Sequence, residues 1–141
     1  MDFEELIVDK FKKLYKIDIS KAKELEIKGM LFPNYFTNPV LDLGLERDYR
    51  PFEFCRIINK IFGFGELSYY EIPEVRLSEH DVVFDCGANT GIFSLYAAYK
   101  VSKVLAFEPS TLIRHYLKNT QNYNFKICSV PYGVSDINKE E

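Results

Sequence analysis

The chain is short of several things that would each mark a class of function. Basic residues are not in excess: 18 Lys and Arg stand against 21 Asp and Glu, giving a formal net charge of −3 at pH 7. Without a clustered Lys and Arg surface there is no footprint for counterion release, so no nucleic-acid partner is expected. Long apolar runs are also missing. The longest uncharged stretch, residues 86–99, is broken by Gly, Asn, Thr and Ser, whereas a bilayer span takes roughly 20 apolar residues; no membrane span is expected. The first residues, Met1-Asp2-Phe3-Glu4-Glu5, are acidic where a secretory leader is basic and then apolar, which predicts a cytoplasmic location. Cys55, Cys86 and Cys128 are too far apart for a C-x-x-C pair. They suggest neither a disulfide framework nor a zinc site, and buried thiols are the expectation. There is no Trp, and no Gly-Lys-Ser or Gly-Lys-Thr that a phosphate-binding P-loop requires.

What the chain does have is apolar mass. Of its 141 residues 47% are hydrophobic and 16% aromatic, enough for a packed core and too much for a disordered segment. The length fits one domain. Phe3, Leu6, Ile7, Phe11, Leu14 and Tyr15 recur at helical spacing with lysines between them, an amphipathic helix. A second helix starts near Pro51 and runs through Phe52, Cys55, Ile58 and Phe62 until Gly63 and Gly65. Between them, residues 29–51 are rich in Phe, Tyr, Pro and Asn. They read as an irregular strap that covers a core, or alternatively as a lid or substrate wall. Residues 67–77 alternate imperfectly around Pro73, which suits an edge strand or short hairpin.

Beyond this the pattern alternates. Strands are predicted over residues 81–86, 103–107 and 125–130, and helices over residues 92–101 and 110–121, the latter with Leu112, Ile113, Tyr116 and Leu117 on one side. Nearly continuous apolar strands alternating with helices imply an α/β fold with a parallel sheet covered on both faces. Residues 1–65 then form a helical and irregular N-terminal extension, and residues 66–141 the α/β part.

The chemistry concentrates in Asp85-Cys86-Gly87-Ala88-Asn89-Thr90-Gly91. This loop follows a strand and opens a helix, the place where a doubly wound sheet takes ligands. Gly87 and Gly91 allow a tight turn and a close approach, and the helix start beyond is expected to present free N–H groups. Glu108 follows at the end of the next predicted strand, where an acid accepts the ribose hydroxyls of an adenosine. A dinucleotide fingerprint wants glycine where Asn89 stands. Asp85 would repel a pyrophosphate and favour an ammonium, so S-adenosylmethionine (SAM) is preferred over a nicotinamide dinucleotide.

These residues resemble the FkbM-type SAM-dependent methyltransferases. Val82-Val83-Phe84-Asp85-Cys86-Gly87-Ala88-Asn89-Thr90-Gly91-Ile92-Phe93-Ser94, followed by Phe107-Glu108-Pro109, carries the likeness, which extends over about residues 71–136. The resemblance implies a three-layer Rossmann-like parallel sheet, present here in part as strands 3-2-1 of the class I order 3-2-1-4-5-7-6. It implies that Asp85, Gly87, Ala88 and Asn89 line the methionine end of SAM, with Gly91 in the same cofactor-binding loop, and Glu108 its ribose. Asp136 would fall near the adenine, and Glu71 fits the lead-in. The implied reaction is methyl transfer to a hydroxyl oxygen of a small molecule of sugar or polyketide type, with no residue assignable as base. It also implies a fragment of a longer enzyme, with a second chain, a swapped segment or the N-terminal segment covering the open sheet edge. A non-catalytic SAM-binding module is the alternative. His80 and His115 have no carboxylate partner at readable spacing, and neither is expected to be catalytic.

Overall fold

The computed structural model describes residues 2–37, 50–62, 71 and 74–136. The chain divides into two compact units, Met1–Arg76 and Leu77–Glu141.

In the first unit, helix α1 (Phe3–Tyr15) begins with a capping box: Glu5 N donates to Asp2 Oδ1 at 2.8 Å and Asp2 N to Glu5 Oε2 at 3.2 Å. Both bonds satisfy amides that the first turn leaves without partners. Strands β1 (Glu24–Ile27) and β2 (Met30–Pro33) form an antiparallel hairpin. Lys28 and Gly29 turn it with φ of 51° and 77°, the left-handed pair that matches hairpin twist. The hairpin corrects the reading of residues 29–51 as wholly irregular. Helix α2 spans Arg50–Phe62. Phe11, Ile19, Leu25, Phe32, Ile58 and Phe62 are buried, and the Phe32 and Phe62 rings meet edge to face at 5.8 Å. Burial pushes the Tyr15 phenol and the Cys55 thiol up to about 12 each, and Tyr15 donates to Asn59 Oδ1 at 2.7 Å. Residues 38–49 of the strap, Tyr69 and Tyr70, and most of the strand expected over residues 67–77 lie outside the described residues.

The second unit runs β3 (Val82–Cys86), α3 (Ile92–Ala98), β4 (Lys103–Phe107), α4 (Thr111–Gln121) and β5 (Ile127–Val130). The strands are parallel in the order β3-β4-β5, with Asp85 beside Ala106 and Phe107 beside Val130. This is the α/β, Rossmann-like arrangement expected, with β3 at one margin among the described residues. One face is sealed: Val104 and Ala106 of β4 are 0% exposed, as are Leu95 of α3 and Leu117 of α4.

The other face is open, and this corrects the expectation of a sheet covered on both sides. Val82 is 54% and Phe84 64% exposed, with Cys86 and Cys128 also exposed. The physical reason lies within the second unit, where both described helices, α3 and α4, serve the opposite face. Only Cys55 of the three thiols is buried, so the expectation of buried cysteines fails at two positions. The last strand is shorter than predicted, with Phe125 in the preceding turn and 92% exposed. On α4, Leu112 faces out, and Leu117 with Thr120 forms the buried stripe. Among the described residues no helix is long and apolar enough to cross a membrane.

Candidate functional site

The loop between β3 and α3 is folded by three left-handed residues: Gly87 at φ 79°, Asn89 at 54° and Gly91 at 83°. Asparagine is the side-chain-bearing residue that best tolerates this region, and here its amide oxygen accepts the N–H of Thr90 at 2.8 Å. The two glycines have different reasons. A Cβ on Gly87 would meet nothing within 4 Å, so only its backbone angle calls for glycine. A Cβ on Gly91 would lie 2.5 Å from Leu117 Cδ1. There α4 packs directly on the loop, and Thr120 Oγ1 reaches the Thr90 carbonyl at 2.5 Å.

The end of β4 holds the loop in place. Phe107 O accepts from both Gly87 N at 3.0 Å and Ala88 N at 2.9 Å. Glu108, 6% exposed, accepts from Asn89 N through Oε2 at 3.0 Å and from Ser110 N through Oε1 at 2.9 Å. Gly91 N donates to Ala88 O at 2.9 Å. Every amide from 87 to 91 therefore donates inside the protein, so none of these five is left to a ligand. The loop closes on itself and on Phe107 instead. What it leaves available is acceptor capacity. A carboxylate has about four lone-pair sites, and each Glu108 oxygen uses one of its own on an amide.

Asp85, half-buried at the end of β3, accepts from Ser94 Oγ through Oδ2 at 2.5 Å. Burial raises its pKa above the usual carboxylate range; the Ser94 hydrogen bond opposes the rise, and the negative charge of Glu108 adds to it. Among the described residues neither acid has an ion-pair partner. Two carboxylates in one place with no cation leave a local negative potential that a positively charged ligand would relieve.

Six of the residues singled out from sequence thus come together: Asp85, Gly87, Ala88, Asn89, Gly91 and Glu108. Asp136 lies beyond β5, exposed, with Ser135 Oγ 3.4 Å from its Oδ1. Glu71 belongs to the first unit and is half-buried. His80 sits on the surface 3.4 Å from Glu79, and the His115 ring meets Tyr116 edge-on. Among the described residues no group of His, Cys, Asp and Glu could hold a metal ion.

Two neighbours of these residues were assigned no role from the sequence, although Ser94 ends the stretch that carries the resemblance. Ser94 is a fully buried polar residue on a helix whose other buried positions are almost all apolar, and that contrast is a usable signal. Arg114 donates through Nη1 to Glu108 O at 3.1 Å, Pro109 O at 2.7 Å and Pro131 O at 3.4 Å. It thereby ties the Glu108 turn to the segment after β5, a role that depends on partners too distant in sequence to be read.

The arrangement is the ligand-taking end of an open α/β sheet: a glycine turn at the carboxyl end of one strand and an acid at the end of the next. No family model matches the chain. A segment of 75 residues is 43% identical to the AMB antimetabolite synthetase AmbE of Pseudomonas aeruginosa, covering 51% of this chain and 4% of that protein. The crystal structure of wild-type Trm5b from Pyrococcus abyssi superposes with a TM-score of 0.40 at 17% identity, over 77% of this chain and 28% of that one. The chain thus spans only a small part of each protein it matches.

Proposed function

We propose that residues 66–141 are the first half of a SAM-binding methyltransferase domain of FkbM type, preceded by a helical extension over residues 1–65. The observation that supports this best is the pair of acids at the glycine turn, Asp85 and Glu108, which have no counter-cation among the described residues. A dinucleotide would bring a pyrophosphate to this negative site. SAM brings an ammonium and a sulfonium, together with ribose hydroxyls that donate hydrogen bonds.

Under this reading Asp85 accepts the ammonium of the amino-acid tail. The turn of Gly87, Ala88, Asn89 and Gly91 shapes the wall beside that tail. Glu108, pre-oriented by the amides of Asn89 and Ser110, takes the ribose hydroxyls with its remaining lone pairs. Asp136 borders the adenine, and Glu71 belongs to the lead-in. SAM supplies an electrophilic methyl group, and the protein contributes mainly by positioning. The acceptor is read as a small hydroxylated molecule of sugar or polyketide type, methylated on oxygen. Similarity to part of an antimetabolite synthetase supports a small-molecule setting. The open face around Phe84 and the β3 margin are read as the place where a second chain or a swapped segment packs.

Calorimetric titration with SAM, S-adenosylhomocysteine and NADH tests the cofactor. Binding of the first two with no heat from NADH is expected, and preferential NADH binding would overturn the reading.

A further inference from the structure

Ser94 is the third residue of α3 and has no exposed surface. A serine inside a helix ordinarily turns its hydroxyl back to the carbonyl four residues earlier. Here that carbonyl is Thr90 O, which already accepts from Thr120 Oγ1 at 2.5 Å. The Ser94 hydroxyl goes to Asp85 Oδ2 instead, also at 2.5 Å. Asp85 Oδ1 has no hydrogen-bond partner among the described residues. A hydroxyl that donates to a carboxylate favours the charged form, and it does so here against burial and against the negative charge of Glu108.

We propose that Ser94 is a positioning residue of this site: its hydroxyl fixes Asp85 through one oxygen and leaves the other as the acceptor for the ammonium of a cofactor that carries an amino-acid tail. The proposal rests on the SAM reading above and adds how the loop selects that tail. Ser94 touches no ligand itself. Its effect passes through Asp85, so it should appear only with ligands that bear the ammonium.

The test uses the full chain with Ser94→Ala, Ser94→Cys, which keeps the size and removes the strong donor, and Ser94→Thr, which keeps the hydroxyl. Two ligands are titrated, S-adenosylhomocysteine and 5′-methylthioadenosine, which lacks the amino-acid tail. The Asp85 carboxyl is followed by carbon NMR against pH in the absence of ligand. Ser94→Ala and Ser94→Cys should raise the Asp85 titration midpoint and weaken S-adenosylhomocysteine about tenfold or more, as for a lost hydrogen bond to a charged group. Affinity for 5′-methylthioadenosine should stay within about twofold, and Ser94→Thr should restore the first ligand. Equal weakening of both ligands, or an unmoved Asp85 midpoint, would overturn the proposal. Wild-type protein that binds neither ligand overturns the cofactor reading and with it the ammonium's part here. Wild-type binding left unchanged by Ser94→Ala and Ser94→Cys overturns the proposal alone.

Discussion

The two units hide their apolar residues in different ways. In the first, helices and a hairpin interlock, so that Phe11, Phe32, Ile58 and Phe62 are all buried. The buried Asn34 is also fully engaged, donating to Ile19 O and Ala22 O and accepting from Phe36 N. In the second unit one sheet face is sealed while the other leaves Val82 and Phe84 in solvent. Two acids also lie close together at the carboxyl end of its strands, with no cation paired to them among the described residues. Local rules broken at one place and kept elsewhere are what a functional site imposes on an otherwise consistent fold.

The contrast can be broken by substitution. Phe32→Ala in the first unit should cost about 3–5 kcal/mol, the range for emptying a buried aromatic position. Phe84→Ala on the open face should cost less than about 1 kcal/mol, because that ring is already largely hydrated. Urea denaturation of each variant measures both. Equal losses would mean that the open face is covered in solution.

A smaller effect separates the two glycines of the loop. Gly91→Ala combines a left-handed backbone penalty of about 1–2 kcal/mol with overpacking against Leu117 of about 1–3 kcal/mol. Gly87→Ala carries the backbone penalty alone. Thermal melting should therefore rank Gly91→Ala clearly below Gly87→Ala, and the reverse order would contradict the packing of α4 on the loop.

Smallest is the effect of the Asp85 charge on stability. Its pKa is raised in the folded protein, so its stabilising share is complete below the unfolded carboxylate pKa of about 3.9 and is lost as pH rises through the folded value. Asp85→Asn removes that loss while still accepting from Ser94. The variant should match the wild type at the acid end and be more stable near neutrality, in melting curves across pH. Lower stability at neutral pH would show that the carboxylate has a cationic partner in solution.

Much of this organisation was legible in the sequence because local signals agreed. The spacing of Phe3 to Tyr15, the glycines after Phe62 and the strand, glycine and helix order around Asp85 set most elements to within a few residues. The hairpin was missed because its turn is Lys28-Gly29 rather than an asparagine–glycine pair, although Leu25 and Ile27 do alternate with Glu24 and Glu26. The open face was misjudged for a different reason. A strand that is apolar on both sides reads as buried on both, and only its neighbours in space decide which side is covered. Phe125 was counted into a strand on its apolarity alone. Ser94 and Arg114 act through partners that only the fold brings near.

The central claim is that the Asp85 and Glu108 pair with its glycine turn receives an adenosyl cofactor. Amide NMR of the isotope-labelled chain during titration with S-adenosylhomocysteine tests it most directly, because the N–H groups of Asn89 and Ser110 are both bonded to Glu108. The account predicts saturable shifts that are largest at these two amides and through residues 85–91, with none of that pattern from NADH. No shift at saturating ligand, or shifts confined to residues away from this loop, would contradict it.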